Sequence, residues 1–217
     1  MRRRRWAVFG LLLVVVGLLT GCALFNQPPT ANFTWTPTDP LARTDVQFTD
    51  LSTDTGGLFG GGGVVSWIWD FGDNDSSPSQ NPKHEYENGG TYTVKLTVTD
   101  GGGNTAITQR TITVIPSLDG RWTGWLTNGG TLTQLSLQLD LNHSASGGIT
   151  GTISIQGLRT DALNSVQFNP SSREVQITAL VYGITLRGTL NAAEDRISGY
   201  WYNANTGQRI EDWSVSR

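Results

Sequence analysis

The segment TYTVKLTVTD, residues 91–100, alternates apolar and polar side chains with a period of two. Tyr92, Val94, Leu96 and Val98 occupy one set of positions, and mainly threonines occupy the other. Successive side chains of a β-strand point to opposite faces. The alternation therefore predicts a strand with one buried face and one solvated face.

Four further runs before residue 116 share this character: ANFTW, DVQFTD, VSWIWDF and TQRTITVI. In VSWIWDF we expect Val65, Trp67, Trp69 and Phe71 to share one buried face. Low charge (15%) and 27 glycines also favour an all-β chain. Six or seven short strands in fewer than about 90 residues predict a β-sandwich.

Residues 118–217 contain eight more strand-like runs, separated by turn signals such as Asn169-Pro170. Eight sequential strands of this length can close as an up-and-down barrel, which removes exposed edges. A two-sheet sandwich is the alternative. The runs are LDGRWTGWL, TLTQLSLQLDL, GITGTISIQG, NSVQFN, REVQITALVY, ITLRGTLN, DRISGYWYN and RIEDWSVSR.

Residues 1–21 are predicted to be a removable signal peptide, because a basic start precedes an apolar run from Trp6 to Leu19. That run is shorter than the ~20 residues that a spanning helix needs. Cys22 follows directly and is the one cysteine of the chain, so it cannot form an internal disulfide.

The sequence LTGC, ending at Cys22, resembles the lipobox of bacterial lipoproteins. The resemblance implies cleavage before Cys22, acylation of its thiol and anchoring to a membrane outside the cytoplasm, in the cell envelope. With Ala23 next, it implies the outer membrane in a diderm organism. Two lipid signals suffice for stable anchoring. Residues 22–29 would then be the lipidated cysteine and a short tether.

WDFGDNDSSPSQNPKHEYENGGTYTVKLTVTD, residues 69–100, resembles the PKD (polycystic kidney disease) domain, an immunoglobulin-like sandwich. The matching positions span 30–115, with Asn74 where the family usually has glycine and a glycine-rich expansion at 55–65. Asparagine tolerates positive φ, so the turn is expected to survive. PKD domains are generally noncatalytic spacers or adhesion modules, sometimes attached to polymer-degrading enzymes.

Asp70, Asp73 and Asp75 could be turn residues, calcium ligands or catalytic carboxylates. Aspartates bond to backbone amides in tight turns, and we expect that role for Asp70 and Asp73. Their spacing does not match a calcium loop, so no metal site is predicted. The resemblance implies that His84 packs beside Tyr86 as part of the fold.

The opening GRWTGWL of the second half resembles small lipocalin- or avidin-like barrels, with no ligand motif of either family. Aromatic residues there could fill the interior or form a platform for a sugar or an apolar ligand. Tyr200 and Tyr202 should share one face, with Trp201 on the other. His143 lies in a polar segment and is expected to be solvated. The possible ligand-binding aromatics are Trp122, Trp125, Tyr200, Trp201, Tyr202 and Trp213.

Removing residues 1–21 removes four arginines and leaves 11 basic against 18 acidic residues, a net charge of −7. An acidic chain offers no electrostatic footprint for nucleic acid. No catalytic constellation or cofactor motif occurs. The sequence therefore predicts a noncatalytic surface lipoprotein that binds a carbohydrate, an envelope protein or a small apolar ligand. The alternatives are an accessory hydrolase of an envelope or extracellular polymer and a purely structural envelope protein.

Overall fold

The computed structural model describes residues 27–55, 62–128, 133–144 and 146–217. They pack into two compact units. Of the described residues, the first unit comprises 27–38, 45–55, 62–85 and 91–113, and the second comprises 39–44, 86–90, 114–128, 133–144 and 146–217. The predicted signal peptide, Cys22 and most of the expansion at 55–65 lie outside the described residues.

The first unit contains two antiparallel sheets, as a sandwich requires. One has the order β1-β2-β5 and the other has the order β4-β3-β6-β7. The strands are β1 (Phe33–Thr36), β2 (Asp45–Asp50), β3 (Val64–Asp70), β4 (Ser76–Ser77), β5 (Lys83–Glu85), β6 (Gly90–Asp100) and β7 (Thr105–Val114).

The alternation in β6 has the predicted consequence, since Val94, Leu96 and Val98 are fully buried. The prediction for β3 is correct for Trp69 but wrong for Val65, which is 59% exposed. The pairing of β3 with β6 shifts register between Val64 and Ser66. Val65 is the extra, unpaired residue of this bulge, so it does not share the buried face of Trp69.

The second unit is one nine-stranded antiparallel sheet, with the order β11-β10-β9-β8-β16-β15-β14-β13-β12. A 3-10 turn at Leu180–Tyr182 precedes β14. The strands are β8 (Gly120–Asn128), β9 (Thr133–His143), β10 (Ile149–Ile155), β11 (Asp161–Ala162), β12 (Ser165–Asn169), β13 (Glu174–Ala179), β14 (Ile184–Leu190), β15 (Arg196–Asn203) and β16 (Arg209–Ser216).

The two edges of this sheet meet, because β11 ends at Ala162 and β12 begins at Ser165. In the link between them, the Leu163 amide donates to a β10 carbonyl, that of Gly151. The Asn164 amide donates to a β13 carbonyl, that of Thr178. A sheet whose opposite edges are joined by two residues must curl onto itself. The all-β, up-and-down prediction is confirmed, and the two-sheet alternative for this unit is wrong.

Apolar side chains fill the inside of the curled sheet, including Trp122, Leu139, Ile177, Leu186 and Trp213. Each alternates along its strand with a more exposed residue, as the period-two pattern requires. The eight longer strands of this unit thus bury one face against each other and leave the opposite face, here called the outer face, to solvent.

Two glycines make room for one of these tryptophans. Gly188 on β14 is directly opposite Gly199 on β15, and Gly199 is opposite Trp213 on β16. A Cβ atom added at Gly188 would lie 2.8 Å from Trp213 Cζ2. The indole therefore reaches across β15, and its Nε1–H donates to the Arg187 carbonyl on β14 at 3.1 Å.

Candidate functional site

Six outward side chains form a continuous line across six adjacent strands of the second unit. The strand registers make each one the direct neighbour of the next. Adjacent strands are ~4.8 Å apart, so the line is about 24 Å long. We call it the polar row; it consists of Asn169, Glu174, Thr189, Ser198, Ser214 and Trp125.

A second line of outward side chains runs parallel to the polar row and is displaced from it by two residues along each strand. An open pocket of about 1100 Å³ covers both lines. We call this space the outer pocket. Its lining mixes aromatic side chains, of which Trp125 and Tyr200 lie on the outer face, with amides, hydroxyls and charged groups. The second line, here called the arginine–tyrosine row, consists of Gln167, Gln176, Arg187, Tyr200 and Asp212.

The structure separates the six aromatics that the sequence singled out. Trp122 and Trp213 are 0% and 1% exposed, so neither can offer a ring face to a ligand. Trp201 packs against the core, and its Nε1–H donates to the Thr127 carbonyl at 3.0 Å. These three stabilise the fold, because buried indoles combine large apolar area with one satisfied donor.

Trp125, Tyr200 and Tyr202 lie on the outer face instead, with Tyr200 40% exposed. The expectation that Tyr200 and Tyr202 face away from Trp201 agrees with the packing of Trp201 against the core and with the arginines over the two tyrosine rings. Trp125 and Tyr200 line the outer pocket, on β8 and β15. From strand spacing, their Cα atoms are about 12 Å apart.

One arginine lies over one face of each of the two tyrosine rings. Arg209 Cζ lies 3.1 Å from the centroid of the Tyr200 ring, and Arg187 Cζ lies 5.2 Å from that of Tyr202. A guanidinium over an aromatic face is attracted by the ring quadrupole and packs flat against it. This stacking orients Arg187 on an otherwise exposed surface.

Sequence patterns gave no indication of the arginines in this site. Arg187 and Arg196 both line the outer pocket, and both are exposed. In the sequence they stand among seven arginines of residues 117–217 with no distinguishing neighbour. Only the register of β14 and β15 brings them beside Trp125 and Tyr200.

The acidic turn of the first unit has the hydrogen bonds that a turn role predicts. Asp70 Oδ1 accepts the Gly72 amide at 3.1 Å, and Asp73 Oδ1 accepts the Asp75 amide at 3.2 Å. The Gly72 bond and Lys95 lower the pKa of Asp70. Asn74 has a φ of 81°, the left-handed conformation expected of the family's glycine position.

His84 belongs to the same turn. Its ring stacks on Phe71 with centroids 4.1 Å apart, and its Nε2 lies 2.7 Å from Asp73 Oδ2. One ligand atom each of Asp73, Asp75 and His84 lies within 4.8 Å of the others, a spacing that a metal ion could use. The stacking and the hydrogen bond give His84 a structural role without an ion.

His143 is not solvated, contrary to the expectation from its polar neighbours. It is the last residue of β9 and is 9% exposed. Its Nδ1 accepts the Leu118 amide at 3.3 Å, and its ring meets Phe168 edge to face. Burial lowers the pKa of His143, while the charge of Asp119 raises it to a smaller extent.

Among the residues that the structure describes, none forms a helix with the length and apolar character needed to cross a membrane.

Relatives are found among proteins named as collagenases and a pre-pro-metalloprotease. Collagenase ColQ1 of Bacillus cereus (strain Q1) is 32% identical over 189 residues, which cover 86% of this chain and 18% of the collagenase. The microbial collagenase of Vibrio alginolyticus is 36% identical over 95 residues, 44% of this chain and 11% of that protein. The chain thus spans less than a fifth of either relative.

Among solved structures, the PKD1 domain of Vibrio anguillarum Epp is 42% identical, covering 41% of this chain and 95% of that domain, with a TM-score of 0.36. A structure titled as carbohydrate-binding modules from the β-sandwich superfamily covers 88% of this chain at 20% identity and a TM-score of 0.39. At these values the second resemblance does not indicate a ligand. The family model for the PKD domain matches residues 26–115, which include the acidic turn described above. Residues 26–115 of this chain are therefore a PKD domain.

Proposed function

We propose that this chain is a noncatalytic, lipid-anchored surface protein whose C-terminal barrel binds a polysaccharide in the outer pocket. The single observation that supports this most is the outer pocket itself, where Trp125 and Tyr200 stand among hydroxyl, amide and charged side chains. Sugar rings have apolar C–H faces that stack on aromatic rings, and hydroxyls that pair with such polar groups.

The shape of the pocket favours an extended polymer over a small apolar ligand. The polar row is about 24 Å long across six strands, and its members other than Trp125 are polar. The interior of the barrel, where an apolar ligand would lie, is occupied by buried side chains such as Trp122 and Leu186.

The placement of acids in the pocket supports a noncatalytic role. Glu174 and Asp212 line it, but three strand spacings and two residues separate them, about 16 Å between Cα atoms. Carboxylate pairs that hydrolyse glycosidic bonds are usually about 5–9.5 Å apart. The PKD domain would then serve as a spacer.

The anchor is proposed from the sequence of residues 1–22, with Cys22 as the lipidated residue. It would hold the two units on the outer side of a membrane of the cell envelope, the outer membrane in a diderm organism. A polysaccharide or protein of the envelope or its surroundings would then be within reach of the barrel.

Binding of the chain from Ala23 to Arg217 to a panel of soluble and insoluble polysaccharides tests the proposal. We expect saturable binding that Trp125→Ala reduces at least about fivefold, since loss of a stacking aromatic costs about 1 kcal/mol or more. Leu158→Ala, at an exposed position outside the outer pocket, is the matched control. Collagen belongs in the panel because the relatives are named collagenases. Saturable binding to collagen alone would contradict the polysaccharide proposal.

A further inference from the structure

We propose that the polymer bound in the outer pocket is an acidic polysaccharide, whose anionic groups pair with Arg187 and Arg196. The inference rests on the proposed function and adds the chemical class of the ligand.

Arginines are the only Lys or Arg residues in residues 117–217 of the sequence, and most of them have a partner. Arg217 donates to the backbone carbonyls of Ser117, Asp119 and Glu194. Arg187 and Arg196 have no acidic group within 4.0 Å in the described part of the chain, and both line the outer pocket. The arginines that do have such a partner pair as Arg121–Asp140, Arg159–Asp161, Arg173–Glu194 and Arg209–Asp212.

Arg187 and Arg196 lie on opposite sides of the polar row. Arg187 precedes Thr189 of the polar row by two residues on β14, and Arg196 precedes Ser198 by two residues on β15. Because the strands are antiparallel, the two offsets point in opposite directions. The arginines therefore flank the polar row on both sides, with about 14 Å between their Cα atoms.

A polymer that follows the polar row passes between the two guanidinium groups. In 1,4-linked sugars joined through equatorial bonds, each ring is turned over relative to the last, so carboxylates at C5 alternate between the two sides of the chain. A guanidinium pairs with a carboxylate through two parallel N–H···O bonds. One anionic group on each side would meet one arginine.

In the described part of the chain, neither acid of the pocket lies within 4.0 Å of Arg187 or Arg196. Asp212 lies 3.9 Å from Arg209. Glu174 accepts the Ser172 hydroxyl at 3.1 Å and lies on β13, next to the edge strand β12. Neither acid lies on β14 or β15, where the arginines flank the polar row.

Titration calorimetry of the chain from Ala23 to Arg217 with two matched pairs of hexasaccharides tests the proposal. One pair is β-1,4-linked mannuronate against β-1,4-linked mannose, and the other is β-1,4-linked glucuronate against β-1,4-linked glucose. The members of a pair differ only in the carboxylate. We expect an acidic member to bind at least tenfold more tightly than its neutral partner, and to weaken when salt rises from about 50 to about 500 mM.

Two substitutions assign the effect to the arginines. Arg187→Gln and Arg196→Gln should each weaken binding of the acidic hexasaccharide about tenfold, since hydrogen bonds to charged groups contribute on that scale. Arg187→Lys keeps the positive charge but cannot donate two parallel hydrogen bonds to a carboxylate. It should therefore lose less affinity than Arg187→Gln. Arg159→Gln, at an exposed arginine outside the pocket, should change nothing. A melting temperature close to that of the unaltered chain shows that each variant folds. If Arg187→Gln does not fold, Arg196→Gln and the salt titration still test the proposal.

The outcomes separate the two proposals. Equal or tighter binding of the neutral hexasaccharides that Trp125→Ala weakens would overturn the acidic ligand and leave polysaccharide binding in place. Acidic binding unchanged in both glutamine variants would also overturn it. No binding to any polysaccharide would overturn both.

Discussion

Replacement of Gly199 by alanine tests whether the outer pocket depends on the two glycines beneath it. The added Cβ would lie 2.0 Å from the Arg187 carbonyl oxygen and 2.5 Å from Gly188 Cα. Real Cβ atoms essentially never approach closer than 3.0 Å, so β14 and β15 must separate by about 1 Å. Both obstacles are backbone atoms, which cannot rotate away as a side chain would.

Overpacking of this kind typically lowers the free energy of unfolding by about 1–3 kcal/mol. Because the added Cβ meets backbone atoms, we expect Gly199→Ala to be near the upper end of that range. In a unit of roughly 100 residues, a loss of about 2–3 kcal/mol lowers the melting temperature by about 8–24 °C. Calorimetric melting of the chain from Ala23 to Arg217 measures this. Because the strands that part carry Arg187 and Tyr200, ligand affinity should fall as well.

Gly148→Ala is the control, since its nearest obstacle is the Ser144 hydroxyl at 3.3 Å. It should shift the melting temperature by only a few degrees. If Gly199→Ala melted as the unaltered chain does and bound ligand equally well, the close approach of β14 and β15 and its role in the site would be refuted.

Three further predictions concern single residues. Burial lowers the pKa of His143, so the unfolded chain binds a proton at this residue more readily than the folded chain, and stability should fall as pH drops below about 6.5. His143→Gln should flatten that part of a melting-temperature profile against pH. An unchanged slope would contradict the burial of His143 as the cause. Asp73→Ala removes the acceptor of the Asp75 amide and the partner of His84. The free energy of unfolding of the first unit, measured in denaturant, should therefore fall by about 1–2 kcal/mol. A rise in the melting temperature of the unaltered chain on addition of Ca²⁺ or Zn²⁺ would instead reveal a metal site. Cys22→Ser should leave the full precursor uncleaved and without lipid by mass spectrometry, and normal processing of that variant would disprove the lipoprotein assignment.

Strand existence could be predicted because it depends on local alternation. All eight runs of residues 118–217 appear as strands, and the sequential order left few topologies to consider. Burial of single residues was predicted less well where a bulge or distant neighbour decides it. Val65 is exposed because β3 shifts register at one residue. His143 is buried because Leu118 and Phe168 reach it from elsewhere in the chain.

The candidate site could be predicted only in part. Aromatic residues stand out in a sequence, and Trp125 and Tyr200 were among those singled out. Trp122 and Trp213 have the same local pattern, and only strand direction and the space at Gly188 and Gly199 put them inside. Which arginines lack an acidic partner depends on cross-strand neighbours far apart in sequence, so Arg187 and Arg196 could not be distinguished beforehand.

The most direct test of the central claim is where a bound polysaccharide contacts the chain. Backbone and indole N–H resonances of isotope-labelled protein from Ala23 to Arg217 can be followed by NMR during titration with the tightest-binding polysaccharide of the panel. The account predicts saturable shifts at Trp125 and along β13 to β16, centred on Thr189, Ser198 and Tyr200. Shifts confined to the PKD domain, or to the side of the barrel formed by β9 and β10, would contradict it.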